Sequence, residues 1–154
     1  MIRSRKNLFE NIPKFDTAPS ILVVVAPYYS SITSQLIIGA KNVLKIANAK
    51  IEEVEVPGAL EIPTAITLAE NKFSGFIALG CVIRGETSHY ETVSQESSRG
   101  LSNLGQRGVC VGNGILTVEN YEQAVDRANP LSQNKGGGAA IAALSLIALK
   151  EKFN

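Results

Sequence analysis

Tryptophan is absent from the 154 residues, and aromatic side chains make up only 6%. Any aromatic ring in a binding site is then a scarce, positioned group. Histidine occurs once, at His89, so one imidazole is available for acid–base chemistry near neutral pH. An excess of one charge is lacking too: 15 Lys+Arg against 14 Asp+Glu leave a formal charge of +1. Arg3, Arg5, Lys6 and Lys14 cluster near the start against Glu10, so the remainder is slightly acidic. That argues against a dedicated nucleic-acid binder, which needs a basic face on its folded part. No apolar run approaches the ~18 residues of a membrane span. The start, MIRSRKNLFENIPKF, has no apolar core of a secretory signal. Cysteine occurs twice, Cys81 in LGCVI and Cys110 in GVCVG, with no CxxC and no zinc spacing. These features predict a cytoplasmic chain with two buried free thiols, no membrane partner and no nucleic-acid partner.

Hydrophobic residues make up 45% of the chain, enough for the core of one ordinary domain. Charged residues are 19%, below the usual ~25%. A surface with so few charges has apolar area available for subunit contacts.

Residues 1–19 show no periodicity and hold Pro13 and Pro19; they read as an arm, flexible or docked on a neighbour, ahead of a domain over 20–154. Ile21–Ala26 is wholly apolar, as a strand covered on both faces should be. Ile32, Leu36, Ala40, Val43, Leu44 and Ala47 follow at helical spacing. Ile51–Val56 mixes Ile51, Val54 and Val56 with three glutamates, the pattern of a strand near the sheet edge. Pro57-Gly58 opens a helix through Ala69, and Phe76–Ile83 forms a third strand. A helix is expected from His89 to Leu104, a fourth strand at Val109–Val111, and a helix from Glu119 to Ala128. The loop Asn129–Lys135 and three glycines precede a last helix, Ala139–Leu149, apolar almost all round. Such a helix is buried twice or covered by another subunit. Strand–helix alternation with short connections predicts an α/β domain with a parallel sheet and right-handed crossovers.

Ligands of open α/β sheets bind beyond the carboxyl ends of the strands. The loops expected there are Ala26–Ser30, Val56–Glu61, Arg84–His89 and Gly112–Gly114. Arg84–His89 is the richest. Gly85, Thr87 and Ser88 before a helix offer backbone N–H groups and hydroxyls to an anion, and His89 could exchange protons there. From spacing alone the plainer reading, an N-capping hydroxyl and a surface imidazole, is the commoner one. Tyr28 and Tyr29 suit stacking or ordinary packing equally. Glu61 near a helix start is more often a dipole partner than a ligand. Arg127 and Lys135 read as isolated surface cations. Gly136–Gly138 lacks the GxxxxGK order of a P-loop. No GxGxxG follows the first strand, and no GxSxG is present.

Taken together, Val56-Pro-Gly-Ala-Leu-Glu-Ile-Pro63, Gly80-Cys-Val-Ile-Arg-Gly-Glu-Thr-Ser-His-Tyr90, Gly114-Ile-Leu-Thr117, Glu122-Gln-Ala-Val-Asp-Arg127 and Asn134-Lys-Gly136 resemble the 6,7-dimethyl-8-ribityllumazine synthase family of riboflavin biosynthesis. The likeness runs in order from Ile21 to the C-terminus, and its specificity lies in the set rather than in any one segment. It implies a flavodoxin-like three-layer α/β/α domain with a four-stranded parallel sheet. It implies condensation of 5-amino-6-(D-ribitylamino)uracil with 3,4-dihydroxy-2-butanone 4-phosphate, without metal or organic cofactor. It also implies sites shared between adjacent subunits of a pentamer. By this resemblance Tyr29 stacks on the pyrimidine. Ala59, Leu60 and Glu61 hold the ribityl chain, and the backbone of Cys81, Val82 and Ile83 reads the ring edge. Glu86 and Thr87 bind phosphate together with Arg127 of a neighbour, His89 is the acid/base, and Lys135 stands near the site.

The chain departs from the family pattern at Asn113, where many members have Phe, at Leu60, where some have an aromatic, and at Ser30, commonly Asn. The ring slot implied has one aromatic wall, Tyr29, with Asn113 opposite. Asn129–Gln133 lacks the Gly-x-Lys-x-Gly of members that build sixty-subunit shells, so a free pentamer is expected. Two other classes compete with the enzyme: a flavin- or lumazine-binding module without turnover, and a thiol enzyme pairing Cys81 with His89.

Overall fold

The computed structural model describes residues 9–154; residues 1–8 of the expected arm lie outside them. Four strands, β1 (Ser20–Val25), β2 (Lys50–Glu55), β3 (Gly75–Ile83) and β4 (Val111–Val118), form one parallel sheet in the order β2-β1-β3-β4. Five helices complete the described chain: α1 (Ser30–Ile46), α2 (Ile62–Ala69), α3 (His89–Gln106), α4 (Tyr121–Ala128) and α5 (Lys135–Phe153). The result is the expected three-layer, flavodoxin-like arrangement.

Period-two alternation divides the core into two halves. Ile21, Val23, Val25, Ile77, Leu79 and Cys81 face one side, where α1, α4 and α5 close over them. Leu22, Val24, Ala26, Phe76 and Ala78 face the other, beneath Ile62 and Ile66 of α2 and Leu101 and Leu104 of α3. The central strands are apolar throughout because both faces are covered. β2 is the edge strand that its glutamates predict: Glu52, Glu53 and Glu55 are exposed. Ile12 and Phe15, just ahead of β1, are half-buried against the α1 side of this chain's own core.

Two elements, the fourth strand and the last helix, differ most from the sequence expectation, for related reasons. The fourth strand is not Val109–Val111 but runs from Val111 to Val118. Gly112-Asn113-Gly114, read as a loop beyond the strand, is part of it. Gly112 is there for close approach: a Cβ would stand 1.9 Å from the Ala139 carbonyl oxygen, so α5 presses on β4 backbone to backbone. The last helix likewise begins at Lys135, and Gly136–Gly138 is its first turn rather than a loop. Asn134 starts it in the left-handed region (φ 49°), with its side-chain oxygen accepting the Gly137 N–H at 3.1 Å. That side chain is buried in the joint between α1 and α5; a Cβ on Gly39 of α1 would lie 2.2 Å from Asn134 Oδ1. The over-apolar last helix is thus buried twice, against α1 and against β3 and β4, while Leu146, Leu149 and Phe153 remain exposed.

A methyl at Gly112 meets backbone that cannot step aside, whereas one at Gly105 of α3 meets nothing within 4 Å. G112A is therefore expected to destabilise by about 1–3 kcal/mol. G105A is expected to stabilise by a few tenths up to about 1 kcal/mol through helix propensity. Denaturant melts of the two variants check the opposite signs.

Candidate active site

In this sheet β1 leads outward to α1 on one face, and β3 leads to α3 on the other. Between their carboxyl ends the connections diverge, leaving a crevice at the switch in strand order. The structure has a cleft of about 420 Å³ there, within the size range of small-molecule sites.

Register shows what the cleft floor offers. β1 ends at Val25, opposite Leu79, and the Ala26 N–H donates to the Leu79 carbonyl at 2.9 Å. β3 continues to Ile83, still paired with β4. Backbone groups alternate in direction along a strand, and the Arg84 N–H points to β4, donating to the Val118 carbonyl. Cys81 and Ile83 therefore turn their backbone groups to the side where β1 has already ended. A planar ligand edge laid there can take up the strand's own hydrogen-bonding pattern. The Cys81 side chain projects from the sheet face into the α1-side core and is 8% exposed; burial pushes its thiol up to about 11.

Tyr29 closes one side. Its carbonyl accepts the N–H groups of Ile32 and Thr33 at the head of α1, which fixes the backbone from which its ring projects. The half-buried ring packs on the α1-side core. Its hydroxyl is held above the ordinary tyrosine value, first by burial, then by Tyr28 and Cys81 nearby, so it remains neutral. Tyr28 meets it edge-on, with centroids 4.9 Å apart at 77°, and stands exposed at the cleft mouth.

The opposite rim is the short 3-10 turn Ala59–Glu61, which follows extended Gly58 and leads into α2. A Cβ at Gly58 would lie 3.1 Å from Glu61 Oε2, so the carboxylate folds back over Gly58 at the edge of the cleft. His89 is the first residue of α3; its N–H donates to Thr87 Oγ1 at 3.3 Å. The exposed imidazole lines the cleft, with Val93 one turn further along the same helix.

The cleft thus gathers Tyr29, Ala59, Leu60, Glu61, Cys81, Val82, Ile83 and His89 from four separate segments. Glu86 and Thr87 are exposed in the loop before α3 and do not line it. Three other candidate residues lie apart in the single chain. Asn113 pairs with Ala78, five positions before the end of β4 at Val118, about 16 Å below the crest at ~3.3 Å per residue. Its Oδ1 accepts the Ile115 N–H at 2.9 Å. Arg127, in the last turn of α4, donates to the Gln123 carbonyl at 3.3 Å, and Lys135 opens α5. Both belong to the layer across the sheet from His89.

Val93 and the side-chain partners of Arg84 escaped the sequence reading. Val93 was findable as the i+4 neighbour of His89. Arg84 has no such signal: its Nε donates to Glu119 Oε2 at 2.7 Å, its Nη1 to Glu91, and its guanidinium carbon lies 4.2 Å from the Tyr90 ring centre. Hydrogen bonds to Glu119, then to Glu91, raise the pKa of Arg84, and Arg84 helps to hold Glu91 low after a backbone hydrogen bond at Glu91 itself. Among the described residues no group of three or more His, Cys, Asp or Glu side chains is placed to hold a metal ion. No described helix is long and apolar enough to cross a membrane.

The sequence profile of the 6,7-dimethyl-8-ribityllumazine synthase family matches residues 18–151. The 6,7-dimethyl-8-ribityllumazine synthase of Jannaschia sp. is 51% identical over 144 residues, covering 92% of this chain and 81% of that protein. The protein of the same name from Bartonella tribocorum is 52% identical over 139 residues, covering 88% and 92%. That of Methylobacterium radiotolerans is 53% identical over 133 residues, covering 84% and 81%.

With its thiol near 11, Cys81 is thiolate to only about one part in a thousand at pH 8. Iodoacetamide at that pH should leave Cys81 unmodified in the native protein and alkylate it after unfolding. Peptide mass spectrometry makes the comparison, and rapid native labelling would revive a thiol nucleophile.

Proposed function

The chain belongs to the 6,7-dimethyl-8-ribityllumazine synthase family, and we propose that its cleft carries out the family's condensation with His89 as the proton-transfer group. The enzyme joins 5-amino-6-(D-ribitylamino)uracil to 3,4-dihydroxy-2-butanone 4-phosphate, releasing phosphate and water. The observation that supports this use of the cleft is the meeting of an open strand edge, a neutral aromatic ring, a carboxylate and the only imidazole at one crevice.

The parts suit the two substrates. The pyrimidine lies on Tyr29 with its polar edge along the backbone of Cys81 and Ile83, Val82 lying between them. The ribityl hydroxyls reach the turn Ala59-Leu60-Glu61, where the carboxylate accepts hydrogen bonds. The phosphate takes the N–H groups around Glu86 and Thr87. A dianion there needs a cationic partner, and the Arg127 guanidinium and Lys135 lie across the sheet in the same chain. A neighbouring copy supplies Arg127, whose planar fork suits phosphate, together with Lys135 and the Asn113 surface.

The 5-amine attacks the ketone, and loss of water gives an imine. Phosphate is then eliminated, the ribityl-bearing nitrogen closes the ring, and a second water leaves. His89 moves protons at the additions and dehydrations. Holding both substrates side by side supplies much of the remaining acceleration. Two unpaired, buried cysteines support a reducing, cytoplasmic setting.

H89A should lower kcat by about 10²–10⁴-fold, with KM for the ribitylaminouracil little changed. R127A should chiefly raise KM for the phosphate substrate. If the site is shared, refolding equal amounts of H89A and R127A together should regenerate about a quarter of the wild-type sites by random assembly. Fluorescence of the lumazine product reads all three. A mixture no more active than its components would place both residues in one chain's site.

With subunits of 16.4 kDa, the proposed pentamer should scatter light as a particle of about 80 kDa. A mass near 1 MDa would indicate a sixty-subunit shell instead.

A further inference from the structure

The Arg84 cluster sits beside the cleft and has no part in the chemistry described so far. Arg84 is the first residue after β3, and its main-chain N–H is held by the Val118 carbonyl at the end of β4, 2.9 Å away. Its side chain then makes three contacts in three directions. Nε donates to Glu119 on the segment leaving β4, Nη1 donates to Glu91 in the first turn of α3, and the guanidinium plane lies over Tyr90, the residue after His89. Glu119 is itself fixed, its N–H donating to Gln123 Oε1 of α4 at 2.8 Å.

The charged side chains of this cluster, Arg84, Glu91 and Glu119, are 41–58% exposed, and ion pairs so wetted add little to stability. Their effect is geometric. One rigid, planar group ties the end of β3 and the end of β4 to the first turn of α3. We propose that Arg84 is a positioning residue, fixing the His89 ring and the Glu86–Thr87 loop at a set height above the open edge of β3. The inference rests on the acid–base role proposed for His89. The segment from Gly85 to Ser88 is exposed, and a Cβ at Gly85 would meet nothing within 4 Å. The loop's own hydrogen bonds, the His89 N–H to Thr87 Oγ1 and the Thr92 N–H to the Ser88 carbonyl, tie it only to the start of α3, and the Arg84–Glu91 pair ties that start to the sheet. Lysine in place of Arg84 would keep the charge and lose the fork that reaches two carboxylates at once.

The test is a double-mutant cycle on kcat with R84A, H89A and R84A/H89A, assayed by product fluorescence. Misplacement of a catalytic group by about an ångström costs up to ~10²-fold. R84A is therefore expected to lower kcat tenfold or more, with KM for both substrates and the thermal midpoint near wild type. R84K should recover only part of the loss. In the H89A background R84A should cost almost nothing further, because there is no imidazole left to position. Full kcat in R84A overturns the proposal. So does a loss confined to KM for the phosphate substrate, which would make Arg84 a direct ligand. A slow H89A in which R84A still costs its full factor overturns the positioning role alone. An H89A with full kcat overturns the acid–base role, and the positioning role with it. If R84A does not fold, E91Q/E119Q removes the two carboxylate anchors, and the same cycle is read with that variant.

Discussion

Everything at the site follows from one mismatch in length. β3 outruns β1, and among the described residues no other strand takes up the pairing β1 abandons. Inside a sheet an unanswered row of N–H and C=O groups would be costly. At the crest it becomes a ready-made reader for any ligand with a matching donor–acceptor edge. The switch in strand order keeps that row open, because the connections from β1 and β3 depart to opposite faces. Tyr29, Glu61 and His89 then occupy the heads of the segments that surround the opening. Their chemistry is borrowed from side chains, but their convergence is set by topology.

The wholly apolar runs made β1 and β3 legible in the sequence, and the glutamates of β2 marked it as an edge. The cleft was legible too, because loops beyond strand ends converge by rule once the strands are placed. β4 was misplaced because glycine has two meanings. It marks a turn when the backbone must bend, and a straight strand when another backbone must come close. Gly112 is the second kind, and only the position of Ala139 reveals it. The partners of Arg84 were missed for a similar reason. Glu91 and Glu119, 7 and 35 residues away, meet it only after the sheet has formed.

The two layers also divide the residues proposed to bind substrate. The α3 side carries the imidazole and the anion-ready loop; the α4 and α5 side carries Arg127 and Lys135. A single chain owns both sets but keeps the sheet between them. An arrangement of copies that brings one chain's α4 side to another's α3 side would complete each site. It would also give the exposed Leu146, Leu149 and Phe153 of α5 a reason to be apolar.

Asn134 has a consequence for how this sequence can drift. Glycine would tolerate its left-handed backbone but forfeit the cap on Gly137, and alanine would forfeit both. Gly39 leaves room for the amide, and any larger residue there would collide with it. The two positions, 95 apart in the chain, act as one heritable unit. In a set of related sequences they should covary, with a change at one accompanied by a compensating change at the other.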